Sequence, residues 1–186
     1  MKITKDRMNG ICEIMFNRII LRRFEEGDEE DVFEYGSDPN VLKYLSWSGL
    51  SDKSEVHTFM ERYIACNPWV FAIVHKEANK CIGTVEVRRS QSKTGICLGY
   101  LLNRKYWGMG IMTEVVTGLV RYCFEVLKVD YVEATHFAGN FASGRVLTKA
   151  GLEVDVRVHQ KIKVQDRFFE VIYYSLSKEK YDKKKR

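Results

Sequence analysis

Proline is almost missing from this 186-residue sequence, occurring only as Pro39 and Pro68. No Gly/Ser-rich or repetitive stretch longer than a few residues is present either, so no linker is expected and one domain is the default. Long apolar runs are also lacking: the longest, such as WVFAIV (Trp69 to Val74), fall far short of the roughly 20 residues that span a bilayer, and no membrane partner is expected. The opening MKITKDRMNGICEIMFN threads charges through its apolar residues and has neither the apolar core nor the small-residue cleavage site of a secretory leader, which fits a cytoplasmic protein. Cysteine is sparse, odd in number and widely spaced (Cys12, Cys66, Cys81, Cys97, Cys123), which argues against a disulfide framework and a CxxC motif and reads as buried small hydrophobes. The histidines (His57, His75, His136, His159) are just as dispersed, with no HExxH, so no metal is expected.

Hydrophobic residues make up 45% of the chain, enough at this length for a sizeable core. The formal charge of +5 is concentrated at the end: SKEKYDKKKR (Ser177 to Arg186) carries six Lys/Arg against Glu179 and Asp182, which leaves the body near +1. Such a tail reads as a solvated, mobile end, and nucleic acid is not the expected partner.

Periodicity supplies the elements. RIILRRF (Arg18 to Phe24) reads as an opening strand, and GDEEDVFEYGSDP as a short helix with Asp28 as N-cap and Pro39 as its stop. In LSDKSEVHTFMERYIAC, Val56, Phe59, Met60, Tyr63 and Ile64 recur at helical spacing behind the capping candidates Ser51 and Asp52, with Pro68 closing the segment. WVFAIVH, CIGTVEVRR and GICLGYLLN come next as three strands joined by short polar turns suited to antiparallel hairpins. Gly110 to Leu127 is a helix by its apolar face. DYVEATHF is a strand, NFASGRVLTKAG a short helix capped by Gly151, and two closing strands flank a turn near Gln165 and Asp166. The order predicted is β-α-α-β-β-β-α-β-α-β-β.

One stretch carries chemistry. ICLGYLLN, then RKYWGMGIM, then a helix is the layout of an anion site: glycines let the backbone approach, and the first N–H groups of the helix point outward unpaired. Neither G-x-G-x-x-G early in a parallel unit nor G-K-[ST] is present, which argues against dinucleotide and P-loop folds.

Taken with IILRRFEEGDEEDVFEYGSDPNVLKYL, CIGTVEV, LGYLLNRKYWGMGIMTEVV and GNFASGRVLTKAGL, this stretch resembles the GNAT superfamily of acetyl-CoA-dependent N-acetyltransferases, and within it the ribosomal-protein alanine acetyltransferase (Rim-type) branch, over Arg18 to Leu176. The resemblance implies a single α/β domain of the α+β type, with a mixed, mostly antiparallel sheet of about seven strands and about four helices over residues 18–176, an N-terminal extension 1–17 and a basic tail 177–186. It implies acetyl-CoA as co-substrate, with the pyrophosphate motif falling on Trp107, Gly108, Met109, Gly110, Ile111 and Met112. Trp107 stands where the motif has a polar residue and Met112 where it has a small one, so the grip would come from the backbone and Met112 must point away from the cofactor. Tyr100, Leu101 and Leu102 would offer backbone hydrogen bonds to the pantetheine arm and the thioester oxygen, a type of contact worth about 3–4 kcal/mol in acyl transfer. Asn140 would hold the cofactor arm. Ser143 would protonate or hydrogen-bond the leaving thiolate, because Leu147 occupies the place where many members carry a tyrosine acid.

The expected acceptor is a primary amine, attacked directly in a ternary complex because no nucleophile with an adjacent base is visible. Deprotonating an α-amine near pKa 7.7–8.0 at pH 7 costs about 1 kcal/mol, against about 4–5 kcal/mol for a lysine amine near 10.4. By resemblance alone, the α-amine of a protein, especially a ribosomal protein, is the leading acceptor, with Glu86, then Glu133, as general base. The resemblance allows a homodimer. Trp47, with Tyr44 and Trp69 behind it, is a candidate for the acceptor groove. Two other readings stand beside this one: a small-molecule amine (polyamine, amino acid or aminoglycoside) as acceptor, and a non-catalytic acyl-CoA-binding or ribosome-associated module.

Overall fold

A computed structural model describes residues 2–6, 10–66, 68–90, 94–156, 160–164 and 167–185; His159 and the turn at Gln165 and Asp166 lie outside them, as do the side chains of Cys12 and Cys66. The fold is mixed α/β with a mostly antiparallel open sheet, as expected. Ten strands and six α-helices occur among the described residues, arranged in two compact units, Met1–Glu86 with Tyr100–Ile111, and Val87–Gly99 with Met112–Arg186.

The first unit opens with an antiparallel series, β1 (Lys2–Asp6), β2 (Gly10–Met15), β3 (Ile19–Arg22), β4 (Val70–His75) and β5 (Lys80–Arg89), the last of which runs on beyond this unit. Residues 1–17 read in the sequence as an extension; there β1 and β2 form a hairpin that continues the sheet beyond β3. Charges spaced through both strands hid their pairing. β4 is buried along Val70–Val74, so the unbroken run WVFAIV reflects a strand covered on both faces. Val70, Ala72 and Val74 join Val32 and Tyr35 of α1 (Glu29–Gly36) and Val56 and Met60 of α3 (Ser54–Cys66) in one apolar cluster.

Two local readings are corrected here. Pro39 does not end a helix; it opens a short one, α2 (Pro39–Leu42), behind Asp38, whose carboxylate accepts the Asn40 N–H at 2.8 Å. Proline suits a first helical position, where its missing N–H costs nothing. Asp28 precedes α1 but makes no side-chain cap. Its carboxylate is 5% exposed and takes both Arg22 Nη1 at 2.7 Å and Nη2 at 2.8 Å, and this fork raises the Arg22 guanidinium above its usual value.

In the second unit, Gly95–Leu98 of β6 (Gly95–Leu102) pairs in parallel with Tyr131–Ala134 of β7 (Tyr131–Phe137), a pairing that needs a crossover helix, here α4 (Ile111–Tyr122). α4 ends in a five-residue π-helical turn, Cys123–Leu127, stopped by Lys128 at φ 59°. β7 continues into α5 (Phe141–Lys149), then β8 (Glu153–Val154), β9 (Gln160–Val164) and β10 (Arg167–Ser177), with β10 antiparallel to β7, β8 and β9. The basic tail is a helix, α6 (Lys178–Lys185). Tyr181 stacks on Phe124 with ring centroids 4.7 Å apart and donates to Glu125 at 2.8 Å, while Lys180 and Lys184 bind Glu153 and Lys185 binds Glu125. Much of the charge read as a solvated patch is thus paired.

Candidate active site

β6 outruns its parallel partner. Among the described residues the ladder with β7 ends at the Leu98–Ala134 pair, yet β6 continues through Tyr100, Leu101 and Leu102. On the β5 side the backbones approach closely: a Cβ on Gly83 would lie 2.5 Å from the Leu101 carbonyl oxygen, so only glycine fits there. The strand is then tied off by the Asn103 N–H, which donates to the Ile82 carbonyl at 2.7 Å.

Asn103 organises the turn beyond the strand. Its buried side chain accepts the Lys105 N–H at 3.0 Å, starting a 3₁₀ turn over Arg104–Tyr106, and donates to Glu34 Oε1 at 3.0 Å. Lys105 Nζ reaches the same oxygen at 2.7 Å, and hydrogen bonds from Lys105 and Asn103 hold the Glu34 carboxyl below its ordinary range. Trp107 then folds back, its Nε1–H donating to the Leu102 carbonyl at 2.7 Å, and leaves the indole 46% exposed. The strand end and the glycine turn are therefore one hydrogen-bonded piece.

Gly108 and Gly110 have φ of 77° and 74°, conformations that cost an L-residue about 1–2 kcal/mol. A Cβ on Gly108 would meet nothing within 4 Å, and one on Gly110 only Arg18 Nη2 at 3.8 Å. The glycines are required by backbone angle, with open space beside them. α4 starts at the next residue, and Gly110 has no side chain with which to cap it. Ile111 and Met112 are buried, 1% and 6% exposed.

In the second unit, α5 starts at Asn140, whose Oδ1 accepts the Ser143 N–H at 3.2 Å. Ser143 is half-buried one turn in, and Leu147 is fully buried, without a hydroxyl to offer. Glu133 on β7 accepts from the Ser90 hydroxyl, and Glu86 is half-buried on β5 opposite Val70. Farther along β7, His136 Nδ1 lies 2.9 Å from the Phe137 carbonyl while its buried Nε2 has no partner. A shallow pocket of about 650 Å³ lies there, lined in part by Phe141, Gly144, Arg145 and Tyr174. Among the described residues, no group of three or more His, Cys, Asp or Glu could hold a metal ion.

A family model for the acetyltransferase (GNAT) domain matches residues 18–153. The chain belongs to the GNAT family. An uncharacterized N-acetyltransferase, p20 of Bacillus licheniformis, is 28% identical over 169 residues, covering 88% of this chain and 95% of the relative. Among solved structures, a GNAT-family acetyltransferase from Bacillus anthracis superposes with a TM-score of 0.80 at 24% identity, covering 90% of this chain and 99% of that one. Spermidine N-acetyltransferase from Vibrio cholerae, solved with CoA and spermine, gives a TM-score of 0.72 at 16% identity over 88% and 98% of the two chains. GNAT enzymes use acetyl-CoA as co-substrate, and this one is an N-acetyltransferase.

Within this GNAT chain, Trp107 donates to the Leu102 carbonyl, and the Ser143 N–H donates to Asn140 Oδ1. Trp47 stacks on Phe59, centroids 4.7 Å apart, and its Cη2 would lie 3.2 Å from a Cβ on Gly36, so much of its ring is committed to packing. Sequence reasoning missed Arg18 and the Asn103–Glu34–Lys105 cluster. An asparagine ahead of the 3₁₀ turn was a usable signal for the second; nothing local marked the first.

Proposed function

We propose that this GNAT enzyme acetylates the α-amine at the N-terminus of a protein, a ribosomal protein first among candidates, through a catalytic domain spanning residues 18–176 with 1–17 and 177–186 as appendages. The observation that supports the acetyl-CoA half of the reading is the run of β6 beyond Leu98 into a glycine turn that opens directly on α4; the acceptor half rests on the low cost of deprotonating an α-amine. The main-chain N–H groups of Gly108 through Met112 hold the pyrophosphate, with Trp107 as a side wall. Tyr100, Leu101 and Leu102 direct backbone groups to the pantetheine arm and to the oxygen on which negative charge develops.

Asn140 keeps the arm against α5 with its amide nitrogen, while its oxygen caps the helix. Glu86, with Glu133 as the second candidate, takes the amine proton directly or through a water. As the new C–N bond forms and the C–S bond breaks, the Ser143 hydroxyl donates a hydrogen bond to the departing thiolate, which takes its proton from solvent. The small cost of deprotonating an α-amine suits a site whose base is a carboxylate. A cytoplasmic location belongs to the same reading: Cys81 and Cys123 are free thiols, both pushed up to about 12 by burial and unsuited to redox work.

The test is thiol release from acetyl-CoA with a free-N-terminal peptide, the same peptide blocked at its N-terminus but carrying lysine, and spermidine. Turnover confined to the free N-terminus is expected. Turnover of spermidine with neither peptide would assign a small-molecule acceptor instead.

A further inference from the structure

Arg18 sits immediately before β3, where its backbone is fixed by the Lys76 N–H donating to its carbonyl at 3.0 Å and by the burial of Ile19. From there its Nη1 donates to the Met109 carbonyl oxygen at 2.8 Å, 91 positions along the chain. The peptide it grips is Met109–Gly110. No cis peptide is present among the described residues, and in a trans peptide the C=O and N–H point in opposite directions. Holding the oxygen toward Arg18 therefore aims the Gly110 N–H away from it. A cation on the oxygen also polarises the amide and strengthens the opposite N–H as a donor. Trp107, at the head of the glycine turn, carries no charge, so Arg18 supplies a cation here from a distant strand.

We infer that Arg18 is a positioning residue for the pyrophosphate of acetyl-CoA, acting through the Met109–Gly110 peptide; the inference rests on the glycine turn being the pyrophosphate cradle. Arg18 braces the back of the turn, and the backbone on the opposite side makes the contact. Its effect must then depend on the co-substrate having a pyrophosphate. Arg18→Met is expected to raise the Kd for CoA by calorimetry about tenfold, the loss of one charge-assisted hydrogen bond. It should raise the KM for acetyl-CoA in step with kcat within about twofold of wild type, and leave the KM for acetyl-pantetheine, which lacks the pyrophosphate, unchanged. Arg18→Lys, which keeps the charge, should recover part of the affinity. Equal CoA affinity in wild type and Arg18→Met, or equal losses on both co-substrates, would overturn the inference while leaving the cradle intact. A wild-type protein that binds acetyl-pantetheine as tightly as acetyl-CoA would remove the cradle and the inference together.

Discussion

α4 and α5 both start behind a glycine at positive φ, Gly110 at 74° and Gly139 at 92°, but they finish the job differently. At α5 one residue, Asn140, intervenes, and its side chain accepts the Ser143 N–H. At α4 the preceding residue is itself glycine, which brings no side chain of its own to cap the first N–H groups. The first turn of a helix has four such donors. α2 and α3 also fill theirs from within, α2 through Asp38, and α3 through Asp52, which accepts the Ser54 N–H at 2.8 Å. Under the proposed function, the α5 start serves the fold and the α4 start holds a ligand; α1 also lacks a side-chain cap, so an uncapped start alone does not mark a ligand site.

The sharpest way to break the comparison is to close the open start. Gly110→Asp puts a carboxylate at the head of α4, at a backbone angle that resists it, where it can act as the missing cap and repel phosphate. CoA affinity should fall by 100-fold or more, about 3 kcal/mol, the scale of an unfavourable charge in such a site. Calorimetric binding indistinguishable from wild type would show that the turn is only a turn.

Removing the cap at the other helix is the milder experiment. Asn140→Ala should lower unfolding free energy by about 1 kcal/mol in urea titration, the usual worth of a side-chain cap. It should also raise the KM for acetyl-CoA if the amide nitrogen holds the cofactor arm; loss of stability with an unchanged KM would confine Asn140 to capping.

Both helix starts were legible in the sequence. Strand, glycines and helix stand in order in LGYLLNRKYWGMGIM, so the open start could be read from local pattern, and NFAS supplied the closed one. Arg18 could not be found this way, because its bond to Met109 joins segments 91 residues apart. Asp28 does stand at the N-cap of α1, but its carboxylate is taken by the Arg22 guanidinium six residues back, a pairing that the acidic run beyond it does not signal. The tail showed its charge, whereas its partners Glu125 and Glu153 are chosen by the fold.

The far end of α4 offers the smallest test. There Glu125 is held down to about 2 by hydrogen bonds from Lys185, Tyr181 and Arg121, and Glu153 down to about 2 by Lys180 and Lys184. Both carboxyls are depressed from 4.5, so their hold on α6 is complete above that pH and is lost as pH falls toward about 2. Both are solvent-facing pairs, so the effect is local and weakened by salt. Amide NMR signals of 178–185 should move toward unstructured positions between pH 4.5 and 2; signals that stay in place would mean that Tyr181 stacking alone holds the helix.

The central claim concerns the donors at the head of α4, and hydrogen exchange reads them directly. With saturating CoA, amide exchange across Gly108 to Met112 should slow markedly relative to the free protein. Exchange in that segment unchanged by CoA, although calorimetry shows CoA bound, would contradict the account and move the cofactor's pyrophosphate elsewhere.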